Sequence, residues 1–143
     1  MAIGGPLADY LHLLMASAAV RTGDLAKAQR YYEIAFERNE AAPVLANNLA
    51  YVLARADPPQ LERALELVDR ALRKQPDDPR FRGTRGQIAV MQKRSKEAIV
   101  DLELALQKSS GNAELHQSLA DAYDAVGEKS LAQRHRQLAA RKR

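Results

Sequence analysis

Histidine side chains are the first candidates for chemistry in this sequence, because imidazole binds metals and transfers protons near neutral pH. The chain has three of them, His12, His116 and His135. They do not show the spacing of metal ligands, and no cysteine is present to complete a ligand set. His12 and His116 occupy equivalent places in a repeat described below, which indicates a structural role. We therefore predict packing histidines and no metal site.

Two further motifs are too incomplete for catalysis. Asp121 and Asp124 are three residues apart and would share a helix face, but no nucleophile or base accompanies them. The run Gly83-Thr84-Arg85-Gly86 lacks the preceding strand and the Lys-Thr or Lys-Ser ending of a phosphate-binding loop. The sequence therefore predicts a protein that is not an enzyme and that uses no cofactor.

The composition favours helices that pack through aliphatic residues. Apolar residues make up 46% of the 143 positions, and aromatic residues make up 5%. Leu and Ala dominate, and the β-branched runs typical of strands are missing. The formal net charge is +4, with basic and acidic residues interspersed over most of the chain. A nucleic-acid-binding protein usually concentrates its basic residues in one patch. We therefore predict an all-α protein and do not expect nucleic acid as its main partner.

Small residues recur with a period close to 34 residues. Two sets lie seven residues apart, each with successive spacings of 36, 34 and 34. They are Ala28, Ala64, Ala98 and Ala132, and Ala35, Ala71, Ala105 and Ala139. A third set precedes them and comprises Ala16, Ala50, Gly86 and Ala120. Because a small side chain lets two helix backbones approach closely, these sets predict the crossing points of helix pairs.

Turn-forming residues separate the helices at regular places. Gly23-Asp24 and Gly127-Glu128 put a glycine after one helix and an acidic residue before the next. Asp57-Pro58-Pro59 and Pro76-Asp77-Asp78-Pro79 mark further breaks. The pattern predicts eight helices, at residues 8–21, 25–39, 43–56, 60–74, 79–92, 95–108, 113–126 and 129–141.

This order of small residue, Gly-Asp turn, paired alanines and Pro-Asp-Asp resembles the tetratricopeptide repeat (TPR). The resemblance covers residues 9–143. The segment ANNLAYVLA, followed by PDDPRFRGTRGQIAV, looks most like repeats common in bacterial scaffold proteins. It implies an α-solenoid of four helix-turn-helix repeats, coiled into a right-handed superhelix whose last helix acts as a cap. We expect a single TPR domain over residues 1–143, with repeats at 9–42, 43–78, 79–112 and 113–143.

The resemblance also implies a scaffold for protein–protein interaction. In this family the first helix of each pair lines a concave groove, which takes an extended segment or a helix of a partner protein. The positions that match the groove are Tyr10, Leu13, Ser17, Asn47, Asn48, Tyr51, Arg55, Arg80, Thr84, Gln87, Gln117 and Asp121. We expect a protein or peptide partner at these residues, and the sequence does not identify it.

One TPR subgroup binds the C-terminal tails of chaperones through a clamp of Lys, Asn, Asn, Lys and Arg. The matching positions of this sequence hold Leu13, Ser17, Asn48, Arg80 and Thr84. Asn48 matches the clamp and Arg80 replaces Lys conservatively, whereas the other three positions differ. The sequence therefore argues against binding of chaperone tails by this mechanism.

Three places depart from the family pattern. Arg85 stands where Leu is usual, Lys93-Arg94 replaces the Gly-Asp turn, and Arg136 replaces an aromatic residue or Leu. Arg136 fits a last helix whose outer face meets water. For Arg85 we expect either an aliphatic stem that reaches past the core to solvent or a loosely packed third repeat.

Two alternative functions follow from the ends of the repeat array. An isolated stack leaves an apolar end face, which favours a homo-oligomer. A basic run without acidic residues could attract RNA or another acidic partner, and it comprises Lys129, Arg134, Arg136, Arg141, Lys142 and Arg143. We favour a simpler interpretation of that run, favourable charge at a helix C-terminus, because no aromatic residues are present in it for base stacking.

The sequence predicts no membrane-spanning segment. Its most apolar stretch, residues 7–20, contains Asp9 and His12 and has no basic region before it, so we do not expect a signal peptide. The lack of cysteine agrees with a cytoplasmic location. The first repeat begins close to residue 1, which is also compatible with a fragment of a longer protein.

Overall fold

The computed structural model describes residues 5–141, which form eight α-helices and no strand. The helices are α1 (Pro6–Thr22), α2 (Leu25–Arg38), α3 (Pro43–Ala54), α4 (Leu61–Lys74), α5 (Pro79–Met91), α6 (Ser95–Leu106), α7 (Ala113–Ala125) and α8 (Lys129–Ala140). The observed ends lie within two residues of the predicted ends, so the all-α prediction is confirmed. None of these helices is long and apolar enough to cross a membrane.

The helices form two compact units, residues 1–74 and 75–143. In the first unit, α1 pairs with α2 and α3 with α4, and α2 also contacts α3. In the second unit, α5 pairs with α6 and α7 with α8, and both α5 and α6 contact α7. Each unit therefore contains two helix-turn-helix hairpins, as a four-repeat protein requires. The single domain over residues 1–143 stays a prediction.

The predicted small residues lie in the core, where the paired helices cross, except Ala139 on the last helix, which is half-buried. Ala28, Ala64, Ala98 and Ala132 are fully buried on the second helices. Ala16, Ala50 and Ala120 are fully buried on the first helices, and Gly86 is buried at the equivalent place in α5. Larger aliphatic residues surround these crossings. In the second unit Leu102, Leu106, Leu115 and Leu119 belong to one apolar cluster.

The same backbone turn closes three of the four hairpins. Gly23 after α1 has a φ of 81°, and Gly127 after α7 has a φ of 86°. Lys93 takes the same left-handed conformation after α5, with a φ of 63°. In each turn the residue that follows the one with positive φ donates its backbone N–H to a carbonyl oxygen of the preceding helix, over an N···O distance of 2.9 Å. Lys93-Arg94 thus changes the residue types of the Gly-Asp turn but keeps its geometry.

Arg85 makes a buried ion pair, which differs from both expectations for this residue. Its Nε donates to Asp101 Oδ2 of α6 at 2.7 Å, and its Nη2 donates to Oδ1 at 3.0 Å. Arg82 Nη1 donates to the same Oδ1 at 3.1 Å. Because the Asp101 side chain is only 8% exposed, both guanidinium groups must reach into the hairpin to meet it. The ion pair with α6 thus accounts for Arg85, and the fully buried Phe81, Ile88 and Leu102 show that the third repeat is not loosely packed.

Candidate partner-binding surfaces

Three predicted contact residues share one face of α3, and we call Asn48, Tyr51 and Arg55 the α3 surface. Their spacings of three and four residues align them along the helix, and all three are half-buried. The Arg55 guanidinium carbon lies 3.6 Å from the centroid of the Tyr51 ring, and Arg55 Nη1 donates to the Tyr51 carbonyl at 3.1 Å. These contacts order the ring and the guanidinium group together on the helix surface.

The neighbouring amides differ in access. Asn47 is buried, and among the described residues its Oδ1 has no hydrogen-bond partner. Asn47 Nδ2 lies 3.5 Å from Asn48 Oδ1, which is too long for a strong hydrogen bond. The half-buried Asn48 amide therefore keeps donor and acceptor capacity for a ligand, whereas Asn47 offers a ligand little surface.

The predicted residues of α1 present a mainly apolar surface. Tyr10 is exposed, and Leu13 is half-buried. Ser17 is also half-buried, and its Oγ lies 3.5 Å from the hydroxyl of Tyr32 on α2. On this helix Tyr10 thus offers a ligand the largest accessible side chain.

The α5 residues are occupied by contacts within the chain. Arg80 is exposed, and its Nε and Nη2 donate to the two oxygens of Asp78 at 3.1 and 2.7 Å. These side-chain hydrogen bonds hold the pKa of Asp78 below its ordinary value. Thr84 and Gln87 are buried, and the Thr84 hydroxyl donates to the Arg80 carbonyl at 3.1 Å. Arg80 is therefore the α5 residue most accessible to a partner.

An acidic surface lies on α7, and we call Glu114, Gln117 and Asp121 the α7 surface. All three are exposed, and Gln117 Nε2 donates to Asp121 Oδ1 at 3.1 Å. Asp124 does not join Asp121 in a carboxylate pair. It forms ion pairs with Arg136 and, at 3.9 Å, with Lys129. The two carboxylates therefore have separate partners, and they share no proton as a catalytic pair would.

The basic run at the C-terminus is partly neutralised by Asp124. Arg136 and Lys129 pair with this carboxylate, whereas Arg134 and Arg141 are exposed on or next to α8. Lys142 and Arg143 of the predicted run lie outside the described residues. The run thus contains a local ion-pair network, as charge at a helix end often does.

Contacts between the two helices of a hairpin include His12 and His116, the predicted packing histidines, and one residue that sequence reasoning missed. His12 stacks on Tyr31 with ring centroids 5.8 Å apart, and His116 contacts His135 with centroids 5.2 Å apart. Asp101 was not singled out at all. Among the described residues, no group of three or more His, Asp or Glu side chains is arranged to hold a metal ion.

Several solved structures share the fold of this chain at low identity. A MamA protein from Desulfovibrio magneticus RS-1 is 20% identical, with a TM-score of 0.71, over 99% of this chain and 77% of that one. The TPR protein TTC0263 from Thermus thermophilus is 19% identical, with a TM-score of 0.71, over 89% and 70%. The TPR2B domain of yeast Sti1, in a complex with pHsp70, is 18% identical, with a TM-score of 0.67, over 83% and 98%.

A family model matches most of the chain, although comparison with curated proteins finds no match. The family model for the tetratricopeptide repeat, however, matches residues 13–57 and 60–114, which together are more than half of the chain. The matched segments include the small-residue crossings of the first three hairpins. The chain therefore belongs to the tetratricopeptide repeat family.

Proposed function

We propose that this chain is a scaffold that binds a peptide segment or a helix of a partner protein through the first helices of its hairpins. The TPR fold generally mediates protein–protein interaction, and its members are typically scaffolds without enzymatic activity. One similar structure, the Sti1 domain, was determined in a complex with pHsp70. Fold membership thus favours a protein ligand, and the residues of this chain must supply its specificity.

The observation that carries this proposal is the ordered Tyr51–Arg55 pair beside Asn48. Tyr and Arg are among the residue types that contribute most to protein interfaces. The contact between the Tyr51 ring and Arg55 orders both side chains in advance, so less conformational entropy is lost on binding. The Asn48 amide can both donate to and accept from the backbone of an extended segment. The α3 surface therefore combines an aromatic anchor with a backbone-recognition group.

The α7 surface adds charge specificity within the second unit. Glu114 and Asp121 are exposed carboxylates on one helix, and Gln117 lies between them in the sequence. Exposed charges contribute more to partner selection and association rate than to affinity. We therefore expect ligands of the α7 surface to carry Lys or Arg.

Selection from a random peptide library displayed on phage tests this function without a known partner. Asn48→Ala/Tyr51→Ala removes two of the three side chains of the α3 surface, and Glu62→Ala/Arg73→Ala on exposed positions of α4 is the matched control. Arg80 is left unchanged, because it binds the N-cap residue Asp78 of α5. We expect peptides selected on the wild type to bind the control but not the α3 variant. If the selected peptides bound the α3 variant as well as the control, the result would contradict the proposal.

A second candidate function is self-association through α1. Leu11 and Met15 are 44% and 40% exposed. Their equivalents in α7, Leu115 and Leu119, are 5% and 0% exposed because they pack in the cluster that contains α6 residues. Helix α1 therefore presents apolar positions that a preceding helix covers in another repeat of the same chain.

Light scattering coupled to size-exclusion chromatography tests this second candidate. We expect the average mass of the wild type to rise with concentration, and Leu11→Lys to remain monomeric because its charge would be buried in the contact. Gln29→Lys on α2 is a control for the added charge. A wild-type chain that stays monomeric at high concentration rules self-association out.

A further inference from the structure

Two histidine rings meet edge to edge where the last helix packs on its neighbour. His116 Nδ1 on α7 lies 2.9 Å from His135 Nδ1 on α8. The ring centroids are 5.2 Å apart, and the ring planes are nearly parallel, with an angle of 26° between them. His116 Nε2 lies 2.7 Å from the carbonyl oxygen of Ser110, in the turn before α7. The pair thus connects α8, α7 and that turn through ring nitrogens.

The hydrogen bonds fix where the protons are when both rings are neutral. A carbonyl oxygen can only accept, so His116 Nε2 must carry a hydrogen and donate it to Ser110. His116 Nδ1 is then an acceptor. The hydrogen between the rings therefore belongs to His135 Nδ1, which leaves His135 Nε2 with a free lone pair.

Each helix packed around the two histidines contributes a group that lies close enough to His135 to interact with its charge. From α6, Glu103 Oε1 lies 3.8 Å from His135 Nε2. From α7, the Tyr123 ring stacks on His135 with centroids 5.7 Å apart, and its hydroxyl donates to Glu103 Oε1 at 2.8 Å. On α8, Arg134 adjoins His135 and opposes a second positive charge. Glu103 thus faces the one nitrogen that is free to take a proton.

The cluster accommodates one added proton but not two. A first proton on His135 Nε2 faces the Glu103 carboxylate, and the hydrogen bond between the two Nδ1 atoms survives. A second proton must go to His116 Nδ1, where it would meet the hydrogen of His135 Nδ1. Two N–H groups cannot share a 2.9 Å separation, and two positive rings repel each other. The doubly charged pair must therefore separate.

Helix α8 buries fewer side chains than α6 does. Only Ala132 is buried in α8, all of which the structure describes, and Leu138 and Ala139 are half-buried, whereas α6 buries Ala98, Asp101, Leu102, Ala105 and Leu106. The pairing of Arg136 and Lys129 with Asp124 is exposed, and exposed ion pairs stabilise little. Gly127, in the left-handed region at φ 86°, joins α7 to α8. A small change in the histidine contact can therefore decide whether α8 is docked.

We propose that the His116–His135 contact is a pH-sensitive latch for α8. The helix is docked while the two rings share at most one added proton, and it is released from α7 when both rings are charged. Release exposes the face of Tyr123 that His135 of α8 covers, so acidification changes the surface that this end of the protein offers.

The direction of the pH dependence follows from the protons that the pair can hold, which are at most one when α8 is docked and two when it is undocked. Burial lowers the pKa of His135, and the charges of His116 and Arg134 lower it further, whereas Glu103 raises it. A free histidine titrates near pH 6.5, so the undocked helix takes up more protons than the docked one below that pH. Docking therefore weakens as the pH falls below about 6.5 and is complete above it.

Amide hydrogen exchange on the full chain measures the latch directly. Protection of α8 is compared with protection of α6, after correction for intrinsic exchange, at about pH 7.5 and about pH 5. We expect α8 protection to fall at least about tenfold relative to α6, because a docked state that binds one proton fewer loses up to about a factor of ten per pH unit below about pH 6.5. Unchanged relative protection of α8 in the wild-type chain would overturn the proposal, and this test needs no variant.

Two variants separate the latch from general acid sensitivity. In His135→Asn the amide can donate to or accept from His116 Nδ1, so either protonation state of His116 is satisfied and the pH effect should shrink to under about twofold. His12→Asn removes a histidine of the first unit and should keep the full effect. A full pH effect in His135→Asn, or its loss in His12→Asn, would assign it to other groups and contradict the latch.

Discussion

Arg82 on α5 and Asp101 on α6 are 19 residues apart in sequence and form a hydrogen-bonded ion pair, with Arg82 Nη1 donating to Asp101 Oδ1 at 3.1 Å. His116 and His135 have the same separation and meet at the same place in the next hairpin. His12 and Tyr31, in the first hairpin, have it too and stack on each other. One contact position between paired helices is thus filled by a different complementary pair in each of these three hairpins.

The ion-pair cluster predicts a large cost for Asp101→Asn. The substitution leaves Arg82 and Arg85 facing a neutral amide in a largely buried place. We expect the free energy of unfolding to fall by about 2–4 kcal/mol, because one partner of a buried ion pair is removed. Urea unfolding followed by circular dichroism measures it. Asp121→Asn, on the exposed α7 surface, should change stability by less than about 0.5 kcal/mol. Equal effects of the two substitutions would contradict the structural role of Asp101.

The crossing of α5 and α6 predicts that Gly86→Ala is destabilising, although alanine favours helices. A Cβ at Gly86 would lie 2.7 Å from Cγ of the fully buried Leu102. We expect a net loss of up to about 2 kcal/mol, since an overpacking cost of about 1–3 kcal/mol outweighs a gain in helix propensity of about 1 kcal/mol. In a Leu102→Ala background the same glycine substitution should cost much less. A gain in stability from Gly86→Ala alone would contradict the prediction, since it would mean that α5 and α6 can move apart at little cost in free energy.

The turn at Lys93 predicts that Lys93→Gly is stabilising. Lys93 is in the left-handed region, at φ 63°, where Gly23 and Gly127 stand in the equivalent turns. Relief of this conformation stabilises the fold by about 1–2 kcal/mol. Glycine offsets part of this gain, because it raises the conformational entropy of the unfolded chain. We expect a net gain of about 0.5–1 kcal/mol in thermal or urea unfolding. Lys96→Gly, on helix α6, should have the opposite sign, and a loss of stability in both would refute the argument.

Tyr123 predicts a pH dependence on the alkaline side. Burial, and then the hydrogen bond to Glu103, raise the pKa of Tyr123 to about 12. Since the folded pKa lies above the unfolded value near 10, the protonated phenol stabilises the fold below about pH 10, and this contribution is lost as the pH rises towards 12. Tyr123→Phe should remove the ultraviolet ionisation step near pH 12 and reduce the alkaline loss of stability. The same step in Tyr123→Phe would assign it to another tyrosine.

Local and periodic features made the helices predictable. The alanines at 28, 64, 98 and 132 predicted the crossings, and Gly23 and Gly127 predicted the turns, because backbone proximity and positive φ restrict residue type strongly. The turn at Lys93 was placed correctly for the same reason, from its position in the period. These features depend on one residue at a time and therefore show in a single sequence.

The contacts of Asp101 and His135 were missed because they depend on two residues on different helices. Arg85 looked anomalous by itself, and only the carboxylate on α6 explains it. Comparing positions 19 residues apart across the repeats would have revealed the signal, since His-Tyr, Arg-Asp and His-His are each complementary pairs. The burial of Asn47, Thr84 and Gln87 was likewise not visible in the helix pattern, because it depends on how neighbouring side chains pack.

The central claim, binding of a protein segment at the α3 surface, is tested most directly by calorimetric titration of one library-selected peptide into three chains. The chains are the wild type, Asn48→Ala/Tyr51→Ala and the α4 control Glu62→Ala/Arg73→Ala. We predict that the α3 variant stays folded but binds at least about 30-fold more weakly, the loss expected for an interface hot spot, while the control binds like the wild type. An α3 variant that folds and binds with the wild-type Kd would contradict the claim.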